Sequence, residues 1–270
     1  VSAPRVVLYH AGCDDGFGAA WAAWRALGDR AMYLPVNYGQ PAPTLPDGAI
    51  VTIVDFAYPR DTLLRLRERV LLHVLDHHKS AAEDLAGLDF AVFDMTKSGA
   101  RLAWEHFHPG VELPALLAYV EDRDLWRFAL SCTKEITAYV RSYPRDFDTW
   151  QMLDSQVCDH INTPLSAGGA ILRATNQLVA AHVDHAHLTD FDGMRVPCVN
   201  ATMLQSEIGA ALCERFPGAP FSLTYFDRED GLRVWSLRTT RADVDCSAIA
   251  SRHGGGGHPG AAGFTTEVRS

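Results

Sequence analysis

Apolar and polar positions along this chain alternate between two periods. RVVLYH, AIVTIVDF and LLHVLDHH are short, nearly continuous apolar runs, whereas FGAAWAAWRALG and RDTLLRLRERV repeat their apolar residues at helical spacing. Strand, helix, strand, helix, strand in that order predicts right-handed crossovers and a mainly parallel sheet with helices on both faces. Unbroken apolar strands suit burial on both sides. Helical patterns follow at about 97–108 and 112–122, and an alanine-rich helix is predicted over about 165–187. Beyond it MRVPCVNA, a helical MLQSEIGAALCERF, and the runs FSLTYF and GLRVWSLRTT around the turn DREDG predict a second, smaller α/β unit. The chain therefore divides into a first domain over residues 1–160, a helical connector over 161–188 and a C-terminal domain over 189–270.

Composition narrows the function. A formal charge of −9 over 270 residues argues against a broad basic face that grips long nucleic acid, because such binding draws on neutralised phosphates. Six cysteines without a C-x-x-C pair suit reduced thiols better than a disulfide framework or a zinc knuckle. No apolar stretch approaches the roughly 20 residues of a membrane span, and VSAPRVVLYH lacks a secretory core. The expectation is a cytoplasmic chain with no membrane partner.

Chemistry-bearing residues recur at one kind of position. RVVLYH ends in His10 and runs into AGCDDG, IVTIVDF carries Asp55 at its end, and LLHVLDHH ends in Asp76, His77 and His78. The carboxyl ends of parallel strands line one crevice, so these separated positions are expected to meet. Carboxylates and imidazoles without thiolate suit hard or borderline cations: Mn²⁺ or Mg²⁺, with Zn²⁺ or Co²⁺ as substitutes. Crowded carboxylates repel unless cations or protons separate them. Two ions would use more of these ligands than one, and paired metals are a phosphodiesterase device. Each residue alone has a plainer reading: Asp14 and Asp15 as turn formers, Asp55 as a cap, His10 as a hydrogen-bonded surface histidine. The adjacent Asp76, His77 and His78 at a buried strand end are harder to read as structural.

A second constellation is RHGGGGHPGAAGF, residues 252–264. Gly255, Gly256 and Gly257 leave backbone N–H groups open to a ligand, and His258 flanks them as a donor to phosphate oxygens. The run matches neither the Walker pattern nor a dinucleotide fingerprint. A flexible linker is the plainer alternative, although the small, apolar AAGF that follows suggests close packing. Arg238 in VWSLRTT is either a further phosphate contact or a solvent-facing strand residue.

Together LDHHKS, His10 with its CDDG, Asp55 in IVDF, and GGGGHPGAAGF resemble the DHH phosphoesterases that carry the DHH-associated C-terminal domain, over almost the whole chain. The resemblance implies two metal ions, usually Mn²⁺, in a cleft between the two domains. It implies Asp55 bridging them, His10 with Asp14 or Asp15 at the first, His77 at the second, Asp76 orienting, and His78 facing substrate. A further ligand is expected from EDRDLW, with Asp122 ahead of Asp124. One departure stands out: many relatives space two aspartates two residues apart after the first histidine, and here Asp14 and Asp15 are adjacent.

The function that follows is a metal-dependent phosphodiesterase of exonuclease or oligoribonuclease type, cleaving a short single-stranded oligonucleotide or dinucleotide to mononucleotides. Cyclic dinucleotide and polyphosphate-type hydrolysis are alternatives, and so is a nucleotide-binding sensor without turnover. Long duplex is not expected as a partner. An oligomer is compatible with the sequence.

Overall fold

The computed structural model describes residues 3–268. In chain order its elements are β1 (Arg5–His10), α1 (Asp14–Leu27), β2 (Met32–Val36), β3 (Ile50–Val54), α2 (Arg60–Arg67), β4 (Leu71–Asp76), α3 (Lys79–Asp84), β5 (Ala91–Phe93), α4 (Gly99–Phe107), α5 (Ala115–Asp124), α6 (Thr133–Val140) and α7 (Phe147–Asp159). There follow α8 (Asn162–Asp184), β6 (His187–Phe191), β7 (Met194–Asn200), α9 (Gln205–Arg215), β8 (Ser222–Asp227), β9 (Leu232–Arg238), α10 (Cys246–Ser251), β10 (Gly256–His258) and β11 (Ala261–Glu267). Two compact units divide after Leu172, inside α8.

The first unit is built on a five-stranded sheet in the order β2-β1-β3-β4-β5, parallel throughout. Its strands alternate their apolar side chains between two cores. Val7, Val54 and Leu75 pack with Trp21, Ala103, Leu116, Ile136 and Trp150 of the helices on one face. Val6, Leu8, Val51, Ile53 and Val74 pack with Leu63 of α2 and Leu85 on the other. Burial on both faces is what the continuous apolar runs required. From β1 the chain steps outward to β2 and then returns to β1's other side as β3. The strand order therefore reverses beside β1, and a crevice opens at the carboxyl ends of β1 and β3, where open α/β sheets place their ligands.

The second unit is a six-stranded mixed sheet in the order β10-β11-β9-β8-β7-β6. Only β7 and β8 run parallel. Cys198, Phe221, Leu223 and Leu237 pack with Cys246 and Ile249 of α10 in one core. A smaller core joins Val179 and Val183 of α8 to Ile208 and Leu212 of α9. Among the described residues, no helix is long and apolar enough to cross a membrane.

Candidate metal centre

Three strand ends of the first unit deliver their polar residues to one place. β1 ends at His10, and α1 begins four residues later with Cys13 as its N-cap: the Cys13 sulfur accepts the Gly16 N–H at 3.1 Å. Gly16 is required here, since a Cβ would sit 2.2 Å from the His10 carbonyl oxygen. β3 hands over to Asp55, which has left-handed backbone geometry (φ 61°) while its N–H still bonds the Leu75 carbonyl at 2.9 Å. β4 ends at Asp76, and His77 and His78 follow. Asp15, Asp55, Asp76 and His77 are each 2% exposed or less.

The Asp55 carboxylate divides between two groups of donors. Its Oδ2 accepts the Cys13 thiol at 3.3 Å and lies 3.5 Å from His10 Nδ1, which is itself 3.2 Å from the Cys13 sulfur. Its Oδ1 lies 3.1 Å from His77 Nε2, and around that same nitrogen stand Asp15 Oδ2 at 3.5 Å and Asp124 Oδ2 at 3.7 Å. Asp76 stands behind the imidazoles. Its Oδ1 accepts the His77 backbone N–H at 2.8 Å and bonds His78 Nδ1 at 2.7 Å, while its fully buried Oδ2 has no hydrogen-bond partner among the described residues.

No family profile matches the chain. It is 28% identical to an uncharacterised protein of Acanthamoeba polyphaga mimivirus over 96% of its own length, and spans 66% of that protein. Among solved structures it resembles a pGpG-specific phosphodiesterase, PggH, of Vibrio cholerae, with a TM-score of 0.51 at 14% identity over 98% of this chain and 94% of that one. The chain has the fold of the DHH phosphoesterases. A further likeness is to RecJ of Thermus thermophilus in complex with Mn²⁺, at a TM-score of 0.49 and 14% identity, covering 97% of this chain and 49% of that one.

Within this DHH fold the donors are oxygens and imidazole nitrogens with one sulfur, a set that accepts hard or borderline divalent cations. Four carboxylates this close repel one another unless protons or cations lie among them. Burial, and then the charges of Asp55 and Asp124, push the Asp15 carboxyl well above the usual carboxylate range. Burial also raises Asp124, with Asp55 adding to it against the opposing charge of His77. For Asp55 burial acts the same way but is outweighed by the hydrogen bonds from His10 and His77, so its carboxyl is held well below the usual range. His77 is lifted to about 10: burial opposes its charge, and the bond to Asp55 with the charges of Asp15, Asp55 and Asp124 overcomes that. The buried, unpartnered Asp76 Oδ2 and the divided Asp55 carboxylate are what a centre for cations requires of its side chains.

Two of the sequence-based candidates lie outside this cluster. Asp122 accepts the N–H groups of Ala129 and Leu130 at 2.8 and 3.1 Å and the Thr133 hydroxyl at 2.5 Å, so it ties down the turn after α5. Asp124 is the residue of that helix which reaches His77. Two residues along a helix are about 200° apart around its axis, so both cannot face one site. Asp14 likewise points away: it accepts from Arg145 at 2.8 Å and lies 3.6 Å from Arg141. Asp15 enters the cluster instead, with Oδ2 and Oδ1 accepting the N–H groups of Gly99 and Ala100 at 2.6 and 2.9 Å, which anchors the start of α4.

Cys13 and Gly99 were not singled out by the sequence. A cap-position cysteine directly after a candidate ligand histidine was the signal available for the first. Asp124 also had one: a carboxylate in the last turn of a helix faces the negative end of the dipole and needs a cationic partner.

The glycine run lies in the second unit and leads into β10, the first strand of the β10–β11 hairpin. A Cβ at Gly255 would meet the Gly263 carbonyl oxygen at 2.1 Å and Phe264 Cβ at 2.5 Å, and Gly257 (φ 141°) would meet the Ala261 oxygen at 2.7 Å. Close packing of the ribbon thus explains both glycines. His258 pairs across the ladder with Ala261, and Ala261 with Arg238, so the two side chains flank one alanine on a shared face. Gly256 opens β10 opposite Gly263. Arg238 donates to the Ser206 hydroxyl, and Gly209 lets α9 pass over it, since a Cβ there would be 2.9 Å from Arg238 Cβ.

Proposed function

We propose that this chain is a divalent-metal-dependent phosphodiesterase that hydrolyses short single-stranded oligonucleotides or dinucleotides to mononucleotides. The observation that carries the reading is the Asp55 carboxylate, one oxygen beside His10 and Cys13 and the other beside His77, Asp15 and Asp124. A carboxylate divided in this way would bridge two cations. His10 and Asp55 Oδ2 would hold one; His77, Asp15, Asp124 and Asp55 Oδ1 would hold the other, with Mn²⁺ as the first candidate. Such ions, when bound, supply Lewis-acid stabilisation of phosphoryl oxygens and lower the pKa of water.

The side chains of the chain have separable tasks. Asp76 positions: its Oδ1 accepts the His77 backbone N–H and a hydrogen bond from His78 Nδ1. That directs His78 Nε2 to substrate, where it would give a proton to the leaving oxygen. Burial disfavours the His78 cation, but the charge and hydrogen bond of Asp76 raise its pKa above the ordinary value. In the second unit, His258 and Arg238 with the ribbon of Gly255, Gly256 and Gly257 would bind phosphate oxygens. The net charge of −9 favours short substrates over long strands. A linear dinucleotide is in keeping with the substrate named for the Vibrio cholerae structure, and a cyclic dinucleotide is the second candidate.

The test is release of mononucleotides from a labelled linear dinucleotide in Mn²⁺. Activity should vanish with chelator and in Asp55→Asn and His77→Ala, both still folded by circular dichroism. Tight nucleotide binding without product in the wild-type chain would instead identify a sensor, and full activity in Asp55→Asn would end the two-ion reading.

A further inference from the structure

Asp55 Oδ2, His10 Nδ1 and Cys13 Sγ form a triangle with edges of 3.2, 3.3 and 3.5 Å. Donors on a tetrahedral ion at bond lengths of about 2.0–2.3 Å stand about 3.3–3.6 Å apart. The three edges lie at or slightly inside that spacing, close enough for the three atoms to share one ion, with sulfur at one corner. The second group, around His77 Nε2, contains only oxygen and nitrogen.

Capping does not account for the cysteine. Its sulfur accepts the Gly16 N–H at the start of α1, a task that Ser, Asp or Asn performs well. What sulfur adds at this place is a soft donor, held on the side of Asp55 that faces His10. Burial, and then the charges of Asp55 and Asp15, push the metal-free thiol well above its ordinary range, so a bound cation is what would hold it as thiolate.

We propose that Cys13 is a thiolate ligand in the His10–Asp55 group, so that this position takes Co²⁺ or Zn²⁺ ahead of Mn²⁺ or Mg²⁺ while the His77 group keeps the preference of an all-oxygen-and-nitrogen site. On binding, the sulfur–metal bond forms as the thiol proton passes to solvent, and no oxidant or reductant is needed. Thiolate selects borderline and soft ions, whereas carboxylate suits Mg²⁺ and Mn²⁺. The inference rests on the metal-dependent reading above.

The experiment uses the full chain, stripped by chelator and titrated with Co²⁺ or Cd²⁺ alone. Wild type should develop a thiolate-to-metal charge-transfer band that saturates at one equivalent. Cys13→Ser, which keeps a helix cap, should lose the band. Cys13→Asp should lose it too and lower the Co²⁺-over-Mn²⁺ preference, read by competition calorimetry, by about tenfold or more. A band that persists in Cys13→Ser, or Co²⁺ binding to wild type without a band, overturns the assignment of Cys13 while leaving the phosphodiesterase reading intact. Calorimetry showing no divalent ion bound by wild type overturns both.

Discussion

A methyl group on Gly99 would stand 2.5 Å from Asp55 Cβ and 2.6 Å from its Oδ1. The first residue of α4 therefore presses on the carboxylate that joins the two donor groups, and only hydrogen fits between them. Asp55 is 2% exposed and backed by the β3–β4 ladder, so it has nowhere to retreat without moving its oxygens. Gly99→Ala is expected to cut turnover on the order of 10²-fold, the usual effect of displacing a reacting group by about 1 Å. Steady-state kinetics on the dinucleotide, with a native circular dichroism spectrum as control, checks this.

The two aspartates of α5 should separate stability from metal binding. Asp122→Ala strands the Ala129 and Leu130 N–H groups and the Thr133 hydroxyl, and should cost about 1–3 kcal/mol in denaturant unfolding, with Mn²⁺ affinity largely kept. Asp124→Ala removes a carboxylate that desolvation, with Asp55 adding to it, already disfavours. Its metal-free stability should be unchanged or higher, while the rise in melting temperature on adding Mn²⁺ is reduced. If Asp122→Ala instead abolished the Mn²⁺ response, the assignment of the pair would be reversed.

Asp14 and Asp15 are adjacent but predict opposite phenotypes. Asp14 makes a partly exposed pair with Arg145 and Arg141, so Asp14→Ala should leave turnover within about twofold and change stability by about 0.2–1 kcal/mol. Asp15→Ala leaves the Gly99 and Ala100 N–H groups without their acceptor and takes a ligand from the His77 group. Loss of both stability and Mn²⁺ binding is expected, measured by urea unfolding and calorimetry.

Tyr38 is 56% exposed, yet its ring lies 4.9 Å from that of His10 and 6.0 Å from that of His78. An exposed aromatic face next to both imidazoles is placed to stack on a base, an interaction worth about 1–3 kcal/mol. Tyr38→Ala should raise KM for a dinucleotide by about fivefold or more at nearly constant kcat, and Tyr38→Phe should restore it. A fall in kcat alone would argue against stacking.

Much of the first unit was legible because its strands are buried on both sides and so leave unbroken apolar runs. The strand ends at His10, Asp55 and Asp76 followed from the same runs, since a parallel sheet gathers its carboxyl ends. β2 was not legible: MYLPV carries a proline and lies at the sheet edge, where the burial that makes a clear apolar pattern is lost. β5, three residues long at the other edge, failed for the same reason. The exchange of Asp122 for Asp124 depends on the rotational phase of α5. That helix buries the polar Glu121 and Asp122 along with Leu116, Leu117 and Val120, so apolar periodicity could not reveal which aspartate faced inward. Cys13 was read as one of six reduced thiols because its significance is spatial: forty-two residues separate it from Asp55.

The small residues of the C-terminal ribbon restrict where evolution can retune this molecule. Since Phe264 and the Gly263 carbonyl occupy the space that a side chain at Gly255 would need, variation there unravels the hairpin. Room for new side chains lies instead at the flanking pair, His258 and Arg238, held in register by the ladder through Ala261.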